Sequence, residues 1–295
     1  KAKHLADGSG AWLQRYWARR TLADLYGPRG DLENALANLR EARAIANAAG
    51  QPLNSAWASL ALAQTLDRIG DREEAVDAVN LALPVFRELK DHASERAAYL
   101  ELMDIYGARE SEFRDFDKAL GYYQSARQLA EREKPDPAQL ASLNLDAVEI
   151  YWQQKKFKEA GALAGEALSY YQNRKDDWGV ASALLSLAEV QRSEGNLAAS
   201  DAGMKRAEPL VLRAGDYYLT GRLYYGQASQ RKKEGHLQAA IEQYERVIGL
   251  LEQFKSTADP ALRRKVSETY GYIYDELIDT LYRLSLQSPA AKLSS

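Results

Sequence analysis

Residues 22–42 read LADLYGPRGDLENALANLREA, and this stretch decides the fold. It sets apolar Leu22 beside small Ala23, places Tyr26 three residues on and Gly30 four after that, and continues with Leu32, Ala35, Leu39 and Ala42. Apolar positions three and four apart follow the 3.6-residue period of a helix. Gly30 stands where a first helix must stop, because glycine tolerates the left-handed conformation of a helix end. Ala35 and Ala42 are small enough for two helices to approach closely, and Leu39 fills the space beside them. The stretch therefore predicts helix, turn and second helix.

The frame recurs five more times. It reads Leu62-Ala63, Leu66, Gly70, Ala75, Val79, Ala82; then Leu102, Tyr106, Phe116, Ala119, Tyr123, Ala126; then Ala147-Val148, Tyr151, Phe157, Ala160, Ala164, Ala167. The last two copies are Leu187-Ala188, Gly195, Leu197, Ser200, Met204, Ala207 and Ala228, Gly235, Leu237, Ala240, Tyr244, Val247. The central small residue falls at 35, 75, 119, 160, 200 and 240, in steps of 40, 44, 41, 40 and 40. The long step reflects an insertion near ARESEF, residues 108–113, in the turn of the third unit. Pro137 after Asp136 and Pro260 after Asp259 mark helix starts, where the missing proline N–H costs nothing. No strand pattern interrupts the series, so the chain is expected to be all-α.

Composition narrows the chemistry. Of 295 residues, 46% are hydrophobic and 27% charged, and the formal net charge is −3, which leaves no basic footprint for nucleic acid or a membrane surface. No apolar run approaches the roughly 20 residues of a membrane span. No signal or transit sequence is visible, and the expected location is cytoplasmic. Cysteine is absent, which removes disulfides, thiolate metal sites and a cysteine nucleophile. His4, His92 and His236 lie far apart in sequence, and no GxxxxGK[ST], GxGxxG or HExxH motif occurs. The expectation is a non-enzyme without catalytic residues, metal or cofactor. The tyrosine doublets 122–123, 170–171, 217–218 and 224–225 read as inter-helix packing.

The recurring frame resembles the tetratricopeptide repeat (TPR), whose helix–turn–helix unit carries Leu-Gly, Tyr, Ala, Phe and Ala at corresponding places. Leu22, Ala23, Tyr26, Ala35, Leu39 and Ala42 occupy those places here. The resemblance implies a right-handed superhelical solenoid of about six helix–turn–helix repeats with flanking half-repeats, all in one domain. The units fall at about 11–50, 51–90, 94–134, 137–175, 177–215 and 217–255, followed by a final helix 260–285 and a disordered tail 286–295. The period is about 40 rather than 34, as in long repeats of bacterial regulators. Ala2 falls in the place of Ala42, so residues 1–8 read as the end of an earlier unit and the chain as a fragment of a longer protein. Asp259 to Arg263 and Tyr274 to Leu284 further resemble the stretch that joins long TPR arrays to a CHAT domain, a caspase-like bacterial protease module.

In the TPR family the first helix of each unit lines the concave face. Two residues before the aromatic place stand Asp24, Gln64, Asp104, Glu149, Glu189 and Ser229; six before it stand Arg20, Leu60, Leu100, Leu145, Leu185 and Tyr225. The two sets lie four apart and share a helix face, drawing an acidic stripe beside an apolar one. Trp17 and Trp57 open this groove and Trp152 flanks it. Some TPR domains hold a C-terminal carboxylate with Lys, Asn and Arg; here Arg20 alone has that sign, so acidic C-terminal tails are not expected to bind. The reading is a protein- or peptide-binding scaffold that takes a basic, amphipathic segment, with no nucleic-acid or membrane partner and with a downstream domain in cis. The alternatives are a regulatory or substrate-recruiting arm of a CHAT-type protease and a purely structural or oligomerising solenoid.

Overall fold

The computed structural model describes residues 2–27, 31–108, 113–133, 137–257 and 260–287. Among the described residues there are thirteen α-helices and no strand. They are α1 (Ala2–Tyr26), α2 (Leu32–Ala48), α3 (Pro52–Ile69), α4 (Arg72–Leu89), α5 (His92–Gly107), α6 (Phe116–Glu133), α7 (Pro137–Gln153), α8 (Phe157–Arg174), α9 (Asp177–Ser193), α10 (Leu197–Ala214), α11 (Tyr217–Lys233), α12 (Leu237–Thr257) and α13 (Pro260–Gln287). The fold is an all-α series of helix–turn–helix repeats. Among the described residues no helix is long and apolar enough to cross a membrane.

A two-residue couplet separates many of the helices. The first residue turns left-handed and the second caps the next helix. Gly70, with φ 89°, precedes Asp71, whose carboxylate accepts from the Glu74 N–H at 3.3 Å. Gly195 with Asn196 and Gly215 with Asp216 repeat the device. Lys90 and Lys175 take the left-handed place, at φ 55° each, before Asp91 and Asp176. A carboxylate or amide oxygen in that position satisfies a backbone N–H that the new helix leaves orphaned.

One departure from the expected layout lies at the start of the chain. Residues 2–10 are not the end of a separate unit; they run without a turn into α1. Gly8 and Gly10 lower helix propensity by about 1 kcal/mol each but do not stop a helix. No capping Asp or Asn follows Gly10, because Ala11 does. Leu286 and Gln287, expected in the tail, belong to α13. Gly30, Asp136, Asp259, most of the ARESEF insertion and residues 288–295 lie outside the described residues.

The chain divides into two compact units, one formed by α1–α6 and the other by α7–α12 with α13 from Val266 on. In the first, Ala35, Ala75 and Ala119 are buried at the helix–helix contacts, as the frame requires. In the second, one apolar cluster joins Ala181, Leu184, Leu185 and Ala188 of α9 to Met204, Ala207 and Val211 of α10 and to Leu219 and Leu223 of α11. Each first helix there packs on its own second helix and also on the neighbouring first helices, α7 on α9 and α9 on α11. The faces of α7, α9 and α11 that remain uncovered lie side by side.

Candidate functional site

Those uncovered faces form a groove of about 250 Å³ in the second unit. From α7 come Leu145, Asp146, Glu149 and Trp152; from α9 Trp178, Ser182, Ser186 and Glu189; from α11 Tyr218 and Arg222; and Tyr171 of α8 closes one side. Spacings of three, four and seven put each helix's contribution on one face. Two walls are fixed by specific packing. The Trp152 indole N–H donates to Ser193 Oγ at 2.7 Å and so ties α7 to α9. The Tyr171 ring lies over Gly179, where a Cβ would overlap it, so the glycine is what admits the ring. Trp178 and Tyr218 are left 44% and 56% exposed, which is large for aromatic side chains and typical of contact surfaces.

The charged groups of the groove differ in how they are engaged. Glu149 accepts from Gln153 Nε2 at 3.1 Å. Glu189 lies 3.8 Å from Arg192, whose buried guanidinium also donates to the Gly226 carbonyl at 3.4 Å. Arg222 donates to Ser182 Oγ at 3.4 Å and to Ser186 Oγ at 3.0 Å, and its guanidinium stands 5.6 Å from the Tyr218 ring centre. Asp146 opens to the groove and makes no hydrogen bond or ion pair among the described residues. The surrounding protein removes much of its hydration and pushes its carboxyl up to about 6.

The structure distributes the sequence-expected residues unevenly. Leu145, Glu149, Trp152 and Glu189 line the groove together. Leu185 does not; it is buried in the α9–α10–α11 core, because the cluster needs an apolar side chain there. Tyr225 is half-buried and packs edge-on against Tyr244 and Tyr272, at 6.1 and 5.5 Å between ring centres. In the first unit Leu60 is buried, Leu100 is half-buried, and Gln64 and Asp104 are exposed. Arg20 pairs with Asp24 at 3.5 Å on the surface of α1, and exposed Trp17 meets Tyr16 edge-on. Trp57 donates its indole N–H to Asp91 at 2.9 Å and to Ser94 at 3.0 Å, holding the cap of α5. The apolar half of the expected stripe is thus largely engaged in helix packing, and the polar half is open.

Sequence reading missed Asp146, Trp178, Ser182, Ser186, Tyr218 and Arg222. A signal for them exists. Counting back three residues from the acidic place gives Asp146 and Ser186; seven gives Ser182 and Arg222; eleven gives Trp178 and Tyr218. The same count in the third repeat gives Glu101, whose carboxyl is pushed up to about 8 by burial and by the nearby charges of Asp67 and Asp104. The doublet 217–218, read as packing, is exposed at both residues, 56% each.

Comparison with known proteins places the architecture. Residues 14–88 match the tetratricopeptide repeat family. No curated protein matches the chain. Among solved structures it is similar to the apo form of RapI, with a TM-score of 0.66 and 12% identity over 92% of this chain and 98% of that one. It is similar to a Rap protein complexed with Competence and Sporulation Factor, with a TM-score of 0.62 and 15% identity over 93% and 77% of the two chains. It is also similar to BtubC (BKLC) from P. vanneervenii, with a TM-score of 0.61 and 24% identity over 73% and 86%. At these identities the likeness is one of fold, so the chain has the helical-repeat fold of these proteins and carries a recognisable tetratricopeptide repeat over residues 14–88.

Proposed function

We propose that the chain is a protein- or peptide-binding scaffold that holds a segment of its partner in the α7–α9–α11 groove. The observation that carries this is the coincidence, in one groove, of exposed Trp178 and Tyr218 with a carboxylate, Asp146, left without a partner among the described residues. Aromatic side chains that are exposed in the free protein supply contact area on binding, while charged groups steer encounter and set orientation. The complex of a Rap protein of the same fold with Competence and Sporulation Factor supports the reading. Three carboxylates, Asp146, Glu149 and Glu189, against one Arg222 favour a basic, amphipathic segment. Glu149, Trp152, Leu145 and Glu189 keep their place in the site. Leu60 and Leu185, being buried, contribute through packing alone.

Selection of random peptides on the whole chain tests this. A binding pool is expected, and Trp178→Ala and Glu149→Lys should each weaken it while Glu74→Lys, on a second helix, does not. Affinity should also fall with salt, since the Debye length shortens from about 30 Å at 0.01 M to about 8 Å at 0.15 M. Binding that ignores both Trp178→Ala and Glu149→Lys, or that Glu74→Lys weakens as much, would remove the groove from the reading. A second reading, a regulatory arm with a CHAT-type domain in cis, is favoured by the exposed ridge of Ile278, Leu281, Tyr282 and Leu286 on α13. It requires a longer gene product with His and Cys in a following domain.

A further inference from the structure

We infer that the groove takes a bipolar segment, with a cationic side chain set on Asp146 and a carboxylate set on Arg222, so that the partner crosses α7, α9 and α11 in one direction. This rests on the reading of the groove as a peptide site, and adds to it an anion and a polarity.

Asp146 and Arg222 stand on the two outer helices of the groove, with α9 between them. Neither forms an ion pair among the described residues, with the other or with anything else. The remaining acids are already engaged, Glu149 by Gln153 and Glu189 by Arg192. Arg222 is oriented by neutral hydroxyls, Ser182 and Ser186, and by the Tyr218 ring, which hold the guanidinium in place without cancelling its charge. Two opposite charges, each in reach of solvent and each lacking its counterion, are complementary to a ligand carrying both. A groove of about 250 Å³ is smaller than the roughly 300–1,000 Å³ of small-molecule pockets, and suits side chains rather than a cofactor. Exposed Trp178 offers a face for the apolar stem and charge of a Lys or Arg, whereas the Tyr218 ring is already met by Arg222. Packed helices lie about 8–10 Å apart, so α7 and α11 are about 16–20 Å apart, and the two ligand charges lie within about six extended residues.

Recognition is pH-dependent at one end only. Glu149 of α7, Tyr171 of α8, Glu189 of α9, and Tyr218 and Arg222 of α11 face the groove beside Asp146. Partial loss of hydration at the groove wall raises the Asp146 carboxyl to about 6, so the cation is released as pH falls through that value.

The experiment is selection of random peptides on the whole chain, followed by a double-mutant cycle. The selected pool is expected to pair one basic and one acidic residue in a fixed order, and selection on the charge-exchanged chain, Asp146→Arg with Arg222→Asp, should reverse that order. Asp146→Asn should weaken the best peptide about tenfold, and neutralising that peptide's basic residue should then cost nothing further. Acidification should weaken the wild type and leave Asp146→Asn unchanged. If the exchanged chain does not fold, Asp146→Asn and Arg222→Gln decide, each cancelling the contribution of one peptide charge. A pool without paired charges, or an additive cycle, overturns the inference and leaves the peptide reading standing. No pool at all overturns both.

Discussion

At the residue scale, Asp146 and Glu101 couple the surface to stability through pH. Each carboxyl titrates higher in the folded chain than in the unfolded one, about 6 against 3.8 and about 8 against 4.5. The folded state therefore favours the protonated forms. The stability this gives is complete below the unfolded value and is lost as pH rises through the folded value. Asp146→Asn should accordingly raise the melting temperature near neutral pH, and the gain should vanish below about pH 4. Glu101→Gln should show the same sign, with its gain still growing through about pH 8. Thermal melts across that range check both, and a gain independent of pH would show that ionisation is not its cause. Trp57 and Trp152 reveal at this scale how indole N–H groups join neighbouring repeats, through Asp91 and Ser94 and through Ser193, while Trp152 also lines the groove.

At the element scale, the couplet of a left-handed residue and a capping carboxylate is where stability can be raised or lowered most directly. Lys175 ends α8 at φ 55° and Asp176 caps α9 by accepting from the Gly179 N–H at 3.0 Å. A side chain in the left-handed region costs about 1–2 kcal/mol, part of which glycine gives back as added freedom in the unfolded chain. Lys175→Gly is expected to stabilise by up to about 1 kcal/mol. Asp176→Ala is expected to destabilise by about 1 kcal/mol. Urea titrations should move the two midpoints in opposite directions. This device was legible in sequence at Gly70 and Gly195 and illegible at Lys90 and Lys175, where lysine gives no sign of a positive φ.

At the scale of the molecule, the helix pairs are stabilised mainly by neighbouring interfaces. Ala160 is fully buried, so Ala160→Leu should overpack its surroundings at a cost of about 1–3 kcal/mol. Amide exchange should then quicken in α7–α9 and leave α11 and α12 nearly unchanged; uniform quickening through the second unit would show longer-range cooperativity. The sequence by itself determined the all-α architecture, the number of helix pairs and the residues of their contacts, because close packing admits only small or apolar side chains at fixed intervals. It also placed Leu145 and Glu149 on one face of α7, with Trp152 beside them, and Glu189 at the corresponding place of α9. Tertiary structure alone decided which members of that face are spent on packing, as Leu185 is, and which stay open, as Asp146 and Trp178 do. A period of 3.6 residues states which direction a side chain points along one helix; only the neighbouring helices state whether protein or water lies there.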